Sequence, residues 1–215
     1  VGEDFLATSK GQEPPAHMVQ IKRGMALAYA VSPFGTDHQS CDNDLCYTED
    51  ASGSFKERYE PLGLTSPTSA TILNTEKVEF VRKTQYLFSL MDSANMCQFV
   101  WGSSWQLYGP DQIVKMIQAI TGWDVTIDEL LAVGERRVNM MRMFNAREGI
   151  DSSHDTLSKK FFKSLQGGPT DGWKIDKNEL EAAKKEYYRQ SGWDEESGIP
   201  TEQTLKRLQL DWIAN

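Results

Sequence analysis

Signals that start and stop helices recur along this chain, whereas the period-two alternation of a half-buried strand is nearly absent. The strongest is Thr126-Ile127-Asp128-Glu129. A Thr side chain there can accept from the amide three residues on, while the Glu reaches back to the Thr amide, the capping box that opens a helix. A helix of about twenty residues follows, with Leu130, Leu131, Gly134, Val138, Met141 and the pair Phe144-Asn145 toward one side and Gly149 at its end. Asn74 or Thr75 is placed to cap a long helix whose apolar stripe is Phe80, Thr84, Leu87, Phe88 and Met91. Pro110 suits the first position of another helix, and Gly122 can terminate it. Asp176 and Glu179 repeat the box arrangement before a helix ending at Gly192, and a last helix is expected over residues 201–208. Near the amino terminus, Met18, Ile21, Met25, Ala28 and Tyr29 recur at helical spacing and predict a helix over residues 18–31, stopped by Ser32-Pro33. Gly122 and Gly192 are each followed by Trp and Asp, which reads as two similar helix terminations anchored by buried indoles. Such a succession can bury its apolar faces only helix on helix, so the expected fold class is all-α, a helical bundle of one or more domains.

Between the first helix and the one capped near Asn74 the pattern lapses. Residues 32–50 read as an irregular loop carrying Asp37, His38, Cys41, Asp42, Asp44 and Cys46. Residues 51–71, rich in Gly, Ser, Thr and Pro, read as a connector with only short helical runs. The chain therefore divides into residues 1–73, with the first helix, the His38 loop and the connector, and residues 74–215, a helical carboxy-terminal domain.

At 215 residues and 39% hydrophobic content the chain can bury a sizeable core. A net charge of −8 argues against nucleic acid, whose recognition rests on clustered Lys and Arg. No apolar run approaches the roughly 20 residues that cross a bilayer, so no membrane partner is expected. Three cysteines, Cys41, Cys46 and Cys97, are too sparse for a disulfide framework and point to a reducing, cytoplasmic setting.

The His38 loop holds one His, two Cys and several carboxylates. Without a second Cys pair it does not make a closed zinc site. The residues alone favour a polar loop with incidental thiols over a His38 that exchanges protons with a substrate in a cleft completed elsewhere. Cys97 alone reads as a small hydrophobe and Asp92 as a solvated helix-end carboxylate.

The order of four segments changes the reading. LAYAVSPFGTDH, then DSANMCQF, then TGWDVTIDELLAVGERRVNMMRMFNAREG, then SGWDEESGIPTEQTLKRLQL together resemble the carboxy-terminal half of the aldehyde ferredoxin oxidoreductase family, in particular an uncharacterised bacterial branch, over most of the chain. The resemblance implies a fragment that lacks the family's amino-terminal β-rich domain. It implies cofactors in the parent protein, a bis-pterin tungsten or molybdenum centre beside a 4Fe-4S cluster, with none in the isolated chain. Asp92 falls where the family hydrogen-bonds a pterin, Cys97 where it places the fourth cluster thiolate, and His38 where it places a histidine near the metal. Asn95 stands at the family's Gly position in that motif, with Met96 at the apolar one, and Ser40 where some members carry a basic residue. Cys41 and Cys46 match no family ligand.

The function that the resemblance implies is oxidation of an aldehyde to a carboxylic acid, with electrons passed through the cluster to ferredoxin or an electron-transfer subunit. The alternatives are reduction of another carbonyl or an aromatic thioester and, for the isolated chain, a colourless, non-catalytic helical module.

Overall fold

The computed structural model describes Gly2 and residues 5–214. Among the described residues seven α-helices follow in order: α1 (Arg23–Val31), α2 (Gly53–Tyr59), α3 (Thr75–Ser93), α4 (Pro110–Thr121), α5 (Ile127–Arg147), α6 (Lys177–Ser191) and α7 (Glu202–Arg207). Among the described residues β-structure is confined to isolated bridges such as Trp101 with Tyr108. The architecture is all-α.

The local signals operate as the side chains dictate. Thr126 Oγ1 accepts from the Glu129 amide and the Glu129 carboxylate accepts from the Thr126 amide at 2.8 Å, satisfying two of the donors a helix start leaves orphaned. Asn74 caps α3 through the Lys77 amide. Gly122 and Gly192 adopt left-handed conformations that end α4 and α6. The indoles that follow them part ways, however. Trp193 is buried and donates to Asn139 Oδ1 at 2.9 Å, whereas Trp123 is 66% exposed.

The first helix is shorter than its apolar spacing predicts. Met18 carbonyl accepts from the Ile21 and Lys22 amides in a single turn, and α1 starts only at Arg23. Its cap comes from elsewhere in the chain: Asp44 Oδ1 and Oδ2 accept from the amides of Gly24 and Met25 at 2.8 and 2.9 Å. The same carboxylate pairs with Lys77 of α3, so one buried ion pair fixes the start of α1 on α3. The second predicted box is only half made. Asp176 caps α6, but Glu179 turns away to Arg23, 2.8 Å from its guanidinium.

The core gathers α1, α3, α5 and α6, drawing on residues such as Leu27 and Tyr29 from one side of position 73 and Phe80, Leu87, Val138 and Leu180 from the other. α3 and α5 make the most extensive helix pair. They approach closely because Gly134 carries no side chain; a Cβ there would lie 1.8 Å from the Tyr86 carbonyl oxygen. The predicted α5 face holds at Leu130, Gly134 and Val138 but not at Phe144, which is exposed. Buried Glu135, Asn139 and Arg142 continue the face instead, each with a polar partner. A smaller cluster of Leu205, Leu208, Leu210 and Ile213 closes the far end of α5 against Met143.

A strap at residues 8–10 crosses this core. Ser9 Oγ donates to the carbonyls of Tyr29 and Thr156, and the amides of Thr8 and Ser158 bond each other's residues. Lys10 Nζ reaches the Ala30 carbonyl and the Asp155 carboxylate, which also holds Arg142 at 2.8 Å and accepts from Tyr188 Oη at 2.5 Å. Burial pushes the Lys10 pKa down, with Arg142 and Lys184 adding to that and Asp155 opposing it. No helix among the described residues is long and apolar enough to cross a membrane.

Candidate functional site

The carboxy-terminal end of α3 sets the geometry. Ala94 is the last half-helical residue, and Asn95 follows in the left-handed region at φ 55°. The Met96 amide then donates to the Met91 carbonyl at 2.8 Å and the Asn95 amide to the Asp92 carbonyl at 3.3 Å, the pair of bonds that defines a Schellman ending. Asn tolerates this conformation better than most residues. Met96 packs half-buried on the core, and the chain turns outward so that Cys97 is an exposed free thiol.

Asp92 lies one turn back. Its Oδ2 is 3.1 Å from the Arg137 guanidinium of α5, which also donates to Ser89 Oγ at 3.1 Å, and its Oδ1 accepts from Gln98 Nε2 at 3.2 Å. These groups line a cavity of about 240 Å³, closed on its other side by the 32–40 loop through Asp37, Gln39 and Ser40. That loop is fixed in turn: Asp37 accepts from the Gln39 amide and from Ser40 Oγ, and Asn145 of α5 donates to the Pro33 carbonyl.

The structure thus brings Asp92 and Ser40 to one cleft and sets Asn95, Met96 and Cys97 on the turn beside it. His38 shares the loop but does not line the cleft. Its ring meets His17 edge-on at 5.1 Å between centroids, and its Nδ1 is buried with no hydrogen-bond partner among the described residues. His17 Nδ1 stands 3.1 Å from Lys22 Nζ, and burial, then Lys22 and His38, push its pKa down. Sequence reasoning missed Arg137 and Gln98; Arg137 meets Asp92 from another helix, with no local spacing to announce it.

Behind the turn, a buried carboxylate holds the next loop. Asp42 accepts from Tyr59 Oη at 2.8 Å, Ser103 Oγ at 2.5 Å and Ser104 Oγ at 3.1 Å, tying the segment that follows Cys97 to the core. Burial pushes the Asp42 pKa up, and the three hydroxyls and the Asn43 amide only partly offset it. Cys41 is fully buried with its thiol pushed well up by burial, and burial raises Cys46 to about 11. Cys97 is the cysteine open to a ligand. No group of three or more His, Cys, Asp or Glu among the described residues could hold a metal ion by itself.

Two features fit a cofactor supported jointly with other parts of a protein. The thiol of Cys97 stands outward on an ordered turn, and Gln98, which lines the cleft, has a buried Oε1 with no hydrogen-bond partner among the described residues. A buried acceptor left orphaned is costly, and a ligand N–H is one way to satisfy it.

Comparison with known proteins gives these features a context. Residues 1–210 match the family described as "Aldehyde ferredoxin oxidoreductase, domains 2 & 3". The chain is 31% identical over 212 residues to the tungsten-containing aldehyde ferredoxin oxidoreductase of Pyrococcus horikoshii, covering 98% of this chain and 32% of that protein. It is 30% identical over 212 residues to the enzyme of the same name from Pyrococcus abyssi, with the same coverage. The chain thus spans about a third of the length of these relatives. Among solved structures it is similar to a chain of the active-site complex BamBC of benzoyl coenzyme A reductase bound to 1,5-dienoyl-CoA. That likeness has a TM-score of 0.53 at 21% identity, covers 64% of this chain and 19% of the other, and concerns the fold alone.

Proposed function

The chain belongs to the aldehyde ferredoxin oxidoreductase family, as its second and third domains, and from that premise we propose that it supplies the helical half of an oxidoreductase acting on aldehydes. The overall change is R–CHO plus water to R–COOH, releasing two protons and two electrons. An iron–sulfur cluster, held in part by this chain, would carry those electrons to ferredoxin or an electron-transfer subunit. When bound, the tungsten or molybdenum pterin centre supplies the redox chemistry.

This chain's share is to hold and orient. Cys97 would ligate the cluster, and a cluster held by Cys alone needs four thiolates. Buried Cys41 and half-buried Cys46, both with raised thiol pKa values, do not offer themselves. The other ligands then come from the rest of the protein. Asp92 would bind the pterin from the cleft, with Asn95 and Met96 setting the turn beside it. His38 would hold or pass a proton; its buried Nδ1 has no hydrogen-bond partner among the described residues. The observation that carries the reading is the Schellman turn at Asn95, which places an exposed Cys97 next to the Asp92 cleft.

The test is metal analysis of the full-length protein purified without oxygen, beside its Cys97→Ala variant and the isolated 215-residue chain. We expect about four irons and about one tungsten or molybdenum in the wild type, cluster iron lost in the variant, and no metal in the isolated chain. A well-folded full-length protein free of all three metals would remove the catalytic reading, and the roles of His38, Asp92 and Cys97 with it.

A further inference from the structure

Asp92 does not stand alone in its cleft. Arg137 approaches Oδ2 while anchored to Ser89 Oγ, and Gln98 donates to Oδ1, so the carboxylate is held from both sides. Each carboxylate oxygen keeps a second lone pair, and both can still accept. Gln98 lines the cleft, and its amide is oriented by its Nε2 bond to Asp92, which leaves its buried Oε1 with no hydrogen-bond partner among the described residues. Two residues that line the same cavity therefore carry acceptors, the Asp92 carboxylate and the Gln98 amide oxygen, and Arg137, itself part of the scaffold, holds the carboxylate through Oδ2 while Gln98 holds it through Oδ1.

We propose that Arg137 and Gln98 complete a cradle centred on Asp92. Arg137 is a positioning residue that locks the carboxylate, and Gln98 binds an N–H of the pterin through Oε1. The inference rests on the reading of Asp92 as a pterin ligand and adds two residues to it. The chemistry matches: an aminopyrimidine edge presents several N–H donors, and a fixed array of acceptors binds it without paying the entropy of ordering each side chain separately. Arg is suited to the locking role, since its planar guanidinium can bond Asp92 and Ser89 together in a fixed geometry.

The experiment measures pterin per chain, from the fluorescence of oxidised pterin released from the full-length protein, together with thermal melting of each apoprotein. The variants are Arg137→Gln, Arg137→Lys, Gln98→Leu and Asp92→Asn. We expect Arg137→Gln and Gln98→Leu each to lower bound pterin about tenfold at limiting supply, the scale of one lost charge-assisted or desolvated hydrogen bond. Arg137→Lys should recover part of the loss, and melting should be unchanged throughout. Wild-type pterin content in Arg137→Gln and Gln98→Leu, with loss in Asp92→Asn, would overturn the cradle and leave the Asp92 role standing. Full pterin in Asp92→Asn would overturn the reading beneath it. Equal depletion in both Arg137 variants with lowered melting would make Arg137 a packing residue and also overturn the proposal.

Discussion

Lys77 Nζ lies 2.9 Å from Asp44 Oδ1, and neither side chain is exposed. Because Asp44 also caps α1 through two backbone amides, its two possible losses are unequal. Asp44→Ala strands a buried ammonium and uncaps the helix, and should cost about 3–5 kcal/mol. Lys77→Met leaves the carboxylate with its two amide donors and should cost less, about 1–3 kcal/mol. Urea unfolding of both variants checks the order; a larger loss in Lys77→Met would show that the cap contributes little.

Gly134→Ala probes the contact between α3 and α5. In an isolated helix Ala would be favoured over Gly by roughly 1 kcal/mol. Here the added methyl meets the Tyr86 carbonyl, a backbone atom that cannot swing aside. We expect net destabilisation of about 1–3 kcal/mol, as for other overpacked cores. A variant as stable as wild type would mean that the two helices separate without cost.

Asn95 should respond in the opposite sense to Gly and to a β-branched residue. Asn95→Gly suits the left-handed turn and should leave stability within about 1 kcal/mol of wild type, while Asn95→Val should cost about 1–2 kcal/mol. The turn presents Cys97, so cluster iron in the full-length protein should follow the same order. If Asn95→Val keeps both stability and iron, the turn does not position the thiol.

The buried carboxylate of Asp42 predicts a pH dependence. Its folded pKa is raised by burial, so from about pH 4, where an unfolded Asp releases its proton, upward to the folded value, the native state binds more protons than the unfolded state. Stability attributable to Asp42 therefore falls as pH rises through that window and is level above it. Unfolding free energies of wild type and Asp42→Asn, compared from acidic to neutral pH, should diverge in that direction, with wild type losing ground. Parallel curves would show that the hydroxyls of Tyr59, Ser103 and Ser104 fully compensate the burial.

The features that the sequence discloses are the local ones. Thr126 with Glu129, Asn74 with Lys77 and the left-handed Gly122 and Gly192 act within a turn of where they are read, and each performs as expected. The early start assigned to the first helix followed apolar spacing, but Met18 is half-exposed and the helix start is decided by Asp44, twenty positions on. Glu179 illustrates the same limit: a box-forming residue is diverted by Arg23, 156 positions away. Trp123 and Trp193 share a local motif, yet the Trp193 amide donates to the Tyr188 carbonyl and its indole is buried, while the Trp123 amide donates to Thr121 Oγ1 and its indole is exposed. In the site, the turn at Asn95 is marked in the sequence only through the family's Gly position, which Asn can fill at positive φ, whereas the side of the loop to which His38 turns and the approach of Arg137 to Asp92 depend on tertiary packing.

The strap at residues 8–10 bears on how the chain reaches this structure. Its hydrogen bonds join Thr8 to Ser158 across 150 positions and Ser9 to Thr156 across 147, and its lysine closes on Asp155. Helices form within microseconds or less, but a contact of that sequence separation must first overcome the entropy of closing a very long loop. During synthesis the strap emerges ahead of its partners and meets them only after some 150 further residues have been added. The strap's bonds to Tyr29 and Ala30 span only 20 positions, so loop-closure entropy sets its two sides apart: the α1 side can close early, and the side facing Thr156 and Ser158 is expected to close late.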